Sequence, residues 1–299
     1  MPCRAGRYRE SRMLINKRSN MTPREILQHY AIKPRKKLGQ SFLTDEDAIQ
    51  KIALTADVQK DDIIVEIGSG IGVLTEYLAQ NDAAQIIAVE LDDNLVNVLK
   101  DRLSSYQNIR VHHGNILNYD FQSIAGAEHR KIKIVGNIPY NISSPLLFHL
   151  LSCRNEIHSF VLMMQKEMID RLAASPGTKS YGVPSVILQM FATVEKILTI
   201  PASSFHPRPK VESSVIKGIF RQQSLIRLTS EDFFTRLVRA SFAQRRKTLM
   251  NNLKHSKLME GCSENFLSES LMLAGIEGQR RGETLSVEEF GNLSNILQR

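Results

Sequence analysis

Four residues carry the most specific chemistry in this chain: Asn137-Ile138-Pro139-Tyr140. They follow an apolar run, Ile132–Gly136, that reads as a buried strand. A strand ending in Asn-x-Pro-aromatic brings together a side-chain amide oxygen, backbone carbonyls that cannot turn inward because proline follows, and a flat ring. That set suits an exocyclic amino group on a planar base. An adenine amine donates two hydrogen bonds, one to the Asn137 side-chain oxygen and one to a neighbouring backbone carbonyl, while Tyr140 stacks on the ring. Taken alone, the four residues equally describe a strand end with a proline turn and a packed tyrosine.

A second constellation points to a nucleoside-like ligand. The run Glu66-Ile-Gly68-Ser-Gly70-Ile-Gly72 ends an apolar segment, and its glycines let backbone turn sharply and approach a ligand. Gly-x-Gly-x-Gly by itself fits a dehydrogenase loop, a phosphate cradle or a helix-packing turn. It is one residue shorter than the dinucleotide fingerprint, which disfavours a pyrophosphate. Glu90 ends the next apolar run, about twenty positions after the glycines. A carboxylate there can accept from the two hydroxyls of a ribose, whereas the bland reading is a solvated Glu. Gly114-Asn115-Ile116-Leu117 follows a third run, where Asn115 suits an adenine edge and Ile116 its face. His112 and His113 have no partner cluster and read as strand-end residues, so no metal is implied.

The elements that must position these residues alternate. Ile63–Ile67, Gln85–Glu90, Ile109–His112, Ile132–Gly136 and Phe160–Met164 read as strands, and Val73–Gln80, Asp93–Leu103, Ser144–Leu151 and Lys166–Ala173 as helices. This order predicts a parallel sheet with helices on both faces and three strand ends lining one crevice. Ile197–Pro201 and Ser214–Phe220 read as an antiparallel pair finishing the sheet. Glu231–Leu253 and Phe266–Ala274 read as helices of a second, smaller domain. Thr22 and Pro23 suit the N-cap and first position of an early helix. The expected organisation is a basic, disordered tail over residues 1–20, a main domain over 21–221 and a small helical domain over 222–299.

Composition excludes several classes. With 299 residues, 42% apolar content and no apolar stretch near ~18 residues, a membrane span is not expected. Three scattered cysteines, Cys3, Cys153 and Cys262, form neither a metal spacing nor a disulfide framework, which suits a reducing cytoplasm. Of the +8 formal charge, residues 1–20 hold +5, leaving +3 for the other 279 residues, so any nucleic-acid surface is local. The first twenty residues lack the apolar core of a secretory signal. They read as a tail or an upstream start, with a transit peptide less well supported.

The three strand ends resemble those of class I S-adenosylmethionine-dependent methyltransferases, which implies a Rossmann-like, mostly parallel seven-stranded sheet with a small C-terminal helical domain. Further motifs narrow the resemblance: Lys36-Lys37-Leu38-Gly39-Gln40-Ser41-Phe42-Leu43, Phe205-His-Pro207-Arg-Pro209-Lys-Val211-Glu-Ser213-Ser-Val215, Phe242-Ala-Gln244-Arg245-Arg246-Lys247-Thr248-Leu249-x-Asn251 and Arg281-Gly-Glu283-Thr-Leu285-Ser286. With Asn137–Tyr140 they resemble the ribosomal RNA adenine N6,N6-dimethyltransferases, in particular the bacterial small-subunit (16S) branch, from about residue 30 to 298.

That resemblance implies roles. Gln40, Ser41 and Leu43 close over S-adenosylmethionine. Gly68, with Gly70, approaches the methionine part, Glu90 the ribose, and Asn115 with Ile116 the adenine. Asn137, Pro139 and Tyr140 hold the target base, Asn137 bordering the cofactor as well, and Phe205 stacks from the other side. Two positions depart from the pattern: the family generally has Asn at Ser41 and Asp at Asn115, which implies weaker cofactor binding without loss of activity. Phosphate contacts are expected from Arg35, Lys36, Lys37, Arg208, Lys210, Arg245, Arg246 and Lys247. The implied partner is 16S rRNA within the 30S subunit or its precursor, approached by a cytoplasmic monomer with no membrane contact. A large-subunit enzyme of the macrolide-resistance type shares the Asn-x-Pro-Tyr and Phe-x-Pro-x-Pro motifs, but Gln244–Leu249 and Arg281–Ser286 favour the small-subunit branch. A non-catalytic assembly factor that keeps the fold is the alternative of a different class. A dehydrogenase is disfavoured because nothing supplies a hydride-transfer partner.

Overall fold

The computed structural model describes residues 21–80, 83–128 and 131–298, and the expected tail over residues 1–20 lies outside them. In chain order the elements are α1 (Pro23–His29), β1 (Phe42–Leu43), α2 (Glu46–Thr55), β2 (Ile63–Ile67), α3 (Val73–Ala79), β3 (Gln85–Glu90), α4 (Asp93–Arg102) and β4 (Ile109–His113). There follow α5 (Phe121–Glu128), β5 (Ile132–Asn137), α6 (Ser143–Ser152), β6 (Ile157–Gln165), α7 (Lys166–Leu172), α8 (Val183–Phe191), β7 (Ala192–Ile200), β8 (Phe205–His206) and β9 (Ser213–Phe220). The last four are α9 (Glu231–Ser241), α10 (Leu249–Lys254), α11 (Glu264–Leu273) and α12 (Val287–Ile296).

Seven strands form one sheet in the order β4-β3-β2-β5-β6-β9-β7, and β2 through β6 run parallel. The chain enters at β2, builds outward through β3 and β4, then returns to β5 on the other side. The order therefore reverses between β2 and β5, and the crevice at their carboxyl ends is where such sheets bind ligands. Register places Ile67 beside Gly136, so the glycine turn and Asn137 emerge side by side. Gly136 makes this approach possible: a Cβ there would lie 2.7 Å from the Ile67 carbonyl oxygen. β2 and β5 are buried along nearly their whole length, as expected of central strands covered on both faces.

The chain divides into two compact units. One runs through Lys166 and takes up Ile197–Lys217; the other combines Glu167–Lys196 with Gly218 onward. The expected boundary at 221/222 is thus close to one crossing but misses the mid-chain segment. That segment contains α8, whose Val186, Ile187, Leu188, Met190 and Phe191 are buried and which packs with α9 and α12. Packing on α9 and α12, not chain continuity, places it in the second unit.

The expected helix over Glu231–Leu253 is broken between Ser241 and Leu249. Asn252 supplies the reason: its amide nitrogen donates to the carbonyls of Ser241 (2.9 Å) and Gln244 (3.1 Å), and its oxygen accepts from Gln244 N–H (3.2 Å). Thr248 then caps the next helix by accepting from Asn251 N–H. β9 lies between β6 and β7, so the late strands are neighbours but β7 is the edge. Thr22 and Pro23 open α1 with a capping box closed by Glu25. No helix among the described residues is long and apolar enough to cross a membrane.

Candidate active site

At the carboxyl ends of β2, β3 and β5 lies an open cavity of about 1010 Å³, mouth included. It brings together Gln40, Ser41, Gly68, Gly70, Glu90, Asn115, Ile116, Asn137, Pro139, Tyr140 and Phe205, all expected from sequence. Leu43 is the exception. It faces a smaller adjoining cavity with Glu66, while Leu38, Gly39 and Phe42 line the main one.

Asn137 is oriented by a bond that sequence does not reveal. Its amide nitrogen donates to the Ser41 carbonyl at 3.1 Å, which leaves the side-chain oxygen as the acceptor. Tyr140 is held by a 3.0 Å hydrogen bond between its hydroxyl and that of Ser213. The Pro139 carbonyl accepts from Ile142 N–H at 3.1 Å, so the turn after Asn137 is closed on itself. Phe205 is only 4% exposed, belongs to the core cluster that includes Ile200 and Val215, and lines the cavity.

The glycine turn and Glu90 form one hydrogen-bonded unit. Gly68 and Gly70 sit at φ +67° and +58°, the left-handed region that a side chain would strain. Gly70 N–H donates to Glu90 Oε2 at 2.9 Å, and Leu91 and Asp92 N–H donate to Oε1 at 2.8 and 2.9 Å. A carboxylate has about four acceptor positions, so three are filled and Oε2 keeps one for a hydroxyl. Burial raises the Glu90 pKa, opposed by these three backbone donors, with the Asp92 carboxylate adding to the rise.

Asn115 sits at the start of a short helical turn, Ile116–Asn118, and its oxygen accepts from Leu117 N–H at 3.0 Å. One lone pair remains for an amine. Ser41 donates to the Pro207 carbonyl at 2.8 Å, tying the N-terminal segment to the Phe205–Pro209 loop, and β1 pairs antiparallel with β8 through Phe42 and His206. The cavity thus has an acceptor for a ribose hydroxyl, an acceptor and an apolar face for an adenine, and a glycine turn for close approach. The residues present fit an adenosyl cofactor.

Beneath the turn, Glu66 is buried and accepts from the Thr75 hydroxyl at 2.5 Å. Burial pushes its carboxyl up to about 8, against the Thr75 and Ser69 hydroxyls, with Glu90 reinforcing the rise. Sequence reading missed this group; the only signal was an acid inside an apolar strand. Arg102 was missed too: buried on α4, it donates to the Ile71 carbonyl of the glycine loop and pairs with Glu76 at 2.6 Å.

The expected phosphate contacts divide. Lys36, Lys37, Arg208, Lys210, Arg246 and Lys247 are exposed. Arg35 is ion-paired with Asp92 at 3.0 Å. Arg245 pairs with Glu283 at 3.1 Å and donates to the Lys179 and Tyr181 carbonyls at 2.6 and 2.9 Å, so it joins the Gln244–Leu249 and Arg281–Ser286 motifs as a staple. His113 lies 3.2 Å from the Leu91 carbonyl and His112 packs edge-on to Tyr119, as ordinary strand-end residues. Among the described residues no group of three or more His, Cys, Asp or Glu could hold a metal ion.

Comparison with known proteins gives a consistent result. The family model for ribosomal RNA adenine dimethylase matches residues 31–299. A protein of Syntrophus aciditrophicus named ribosomal RNA small subunit methyltransferase A is 46% identical over 92% of this chain and 98% of its own length. One of the same name from Enterococcus faecalis is 43% identical over 92% and 94%. Among solved structures, a dimethyladenosine transferase from Plasmodium falciparum superposes with a TM-score of 0.71 at 29% identity, over 84% of this chain and 95% of that one. A 23S rRNA methyltransferase, ErmE, shares the fold with a TM-score of 0.69 at 24% identity, over 86% and 100%.

Proposed function

The chain belongs to the ribosomal RNA adenine dimethylase family, and on that premise we propose that it transfers methyl groups from S-adenosylmethionine to N6 of two adjacent adenosines near the 3′ end of 16S rRNA. The substrate is the 30S subunit or its precursor, the setting the cytoplasm, and the acting form a monomer. One observation carries this reading: with its nitrogen tied to Ser41, Asn137 offers its oxygen beside the Gly68 turn at the switch point of the sheet.

S-adenosylmethionine, when bound, supplies an electrophilic methyl sulfonium. The residues therefore contribute alignment more than a strong general base. An adenine N6 lone pair is delocalised into its ring and is a poor nucleophile. Asn137 Oδ1 and a neighbouring backbone carbonyl, accepting from the N6 protons, draw electron density onto nitrogen and favour a pyramidal amine. Tyr140, fixed by Ser213, stacks on the base. A base in a helix cannot reach this cavity, so it is flipped out or taken from a loop. Glu90 holds a ribose hydroxyl, and Asn115 with Ile116 takes the cofactor adenine. The exposed cations Lys36, Lys37, Arg208, Lys210, Arg246 and Lys247 engage phosphates, the last two from the loop between α9 and α10 of the small helical unit, which serves RNA binding.

The test is incubation of the purified protein with labelled S-adenosylmethionine and unmodified 30S subunits or large-subunit rRNA, followed by mass spectrometry of digested RNA. N6,N6-dimethyladenosine at adjacent 16S adenosines, lost in Asn137→Ala, is the expected result. Product in large-subunit RNA alone would reassign the substrate, and binding to 30S subunits without any product would favour an assembly factor.

A further inference from the structure

Asp92 is 3% exposed and lies two residues beyond the proposed ribose acceptor. Its carboxylate receives three donors from two parts of the chain. Asn94 N–H reaches Oδ1 at 3.0 Å, the N-cap bond of α4. Arg35 pairs with Oδ1 at 3.0 Å, and Gln40 Nε2 donates to Oδ2 at 2.8 Å. The two strap residues are themselves linked, since Arg35 N–H donates to Gln40 Oε1 at 2.7 Å. Gln40 therefore cannot rotate its amide without losing one bond or the other. Between these contacts runs Lys36–Gly39, and Leu38 and Gly39 line the main cavity.

The segment is anchored on either side. Before it, Ile26 and Leu27 of α1 pack with Phe42, Ile71 of the glycine loop and Leu95 of α4. After it, β1 pairs with β8. What lies between has no strand or α-helix to fix it, and Asp92 is the buried charge to which it is tied.

We propose that Asp92, acting on Arg35 and Gln40, is a positioning site that clasps this N-terminal strap over the cofactor end of the cavity. Arg35 thereby leaves the set of phosphate contacts and joins the cofactor side. The inference rests on the cofactor reading above, and it concerns retention of the ligand and not the transfer step. A carboxylate is required because it alone accepts from a guanidinium, an amide and a helix N-terminus together.

Asp92→Asn tests this while keeping a good N-cap acceptor. With the oxygen kept for Asn94 N–H, its amide nitrogen takes the place of Oδ2 and confronts Gln40 Nε2, while Arg35 faces a neutral oxygen. The expected result is a dissociation constant for S-adenosylmethionine raised roughly tenfold, the loss of a charged hydrogen bond. KM for the cofactor rises in step, while kcat at saturating cofactor stays near that of the parent protein. Arg35→Gln should give a similar rise, and the double variant less than the sum of the two, because the Arg35–Asp92 ion pair is lost in both. Trypsin cleavage after Lys36 and Lys37 provides a readout that needs no ligand: it should accelerate several-fold in both variants. Unchanged cleavage, or full additivity of the two binding effects, would overturn the clasp. A parent protein that binds no S-adenosylmethionine but shows clasp-dependent cleavage would overturn the cofactor reading instead.

Discussion

Glu66 makes stability depend on pH in the direction opposite to most carboxylates. It is 2% exposed, sits under the glycine turn and has its pKa pushed from 4.5 to about 8. In the unfolded chain it ionises above about 4.5, whereas in the folded protein it keeps its proton until about 8. The folded state therefore binds more protons across that window, and stability falls as pH rises through it. One proton corresponds to about 1.4 kcal/mol per pH unit, so the window of about 3.5 units bounds the loss at about 5 kcal/mol. Glu66→Gln keeps the size and a neutral hydrogen-bonding end for the Thr75 hydroxyl, and removes the titration. Urea unfolding of both proteins at pH 5.5 and 7.5 isolates the effect. The variant should gain about 2–3 kcal/mol relative to the parent between those two conditions. Parallel pH dependence in the two proteins would refute the assignment of a neutral, buried Glu66.

Three further outcomes are expected. Asn115→Asp keeps the bond to Leu117 N–H and adds charge, so calorimetry should find S-adenosylmethionine bound about fivefold more tightly, about 1 kcal/mol; no tightening would remove Asn115 from the adenine contact. Replacing Arg246 and Lys247 with Glu, leaving the Arg245 staple intact, should weaken rRNA binding and flatten its salt dependence by about one unit of slope for each phosphate no longer neutralised, and unchanged affinity in filter binding would exclude them from the interface. Gly136→Ala puts a Cβ 2.7 Å from the Ile67 carbonyl oxygen between two central strands, and should cost about 2 kcal/mol in denaturant unfolding.

Much of the main sheet was legible because each central strand is a short apolar run followed by a glycine, an acid or an amide. The strand ends Gly68, Glu90, Asn115 and Asn137 converge as their spacing implied. What sequence did not disclose is who holds them. Asn137 is aimed by a backbone carbonyl 96 positions earlier, and Arg102 reaches a carbonyl 31 positions away. Such bonds depend on backbone atoms, which every residue possesses, so no residue type marks them. The basic clusters were legible as charge, but the acids that Arg35 and Arg245 meet were not, because they lie far away in sequence. The interruption of the helix over Glu231–Leu253 was hidden because the Asn252 side chain binds backbone carbonyls, those of Ser241 and Gln244.

The second unit's use of Glu167–Lys196 bears on how the protein can be built and altered. A chain ending near residue 221 leaves the apolar α8 without α9 and α12, its packing partners. During synthesis that face meets α9 first, and its cover is completed only when α12 has emerged. Truncation at the apparent boundary therefore yields a product with an exposed sticky helix and not a minimal catalytic domain. An exchange of the small unit between relatives succeeds only if the mid-chain segment travels with the C-terminal one.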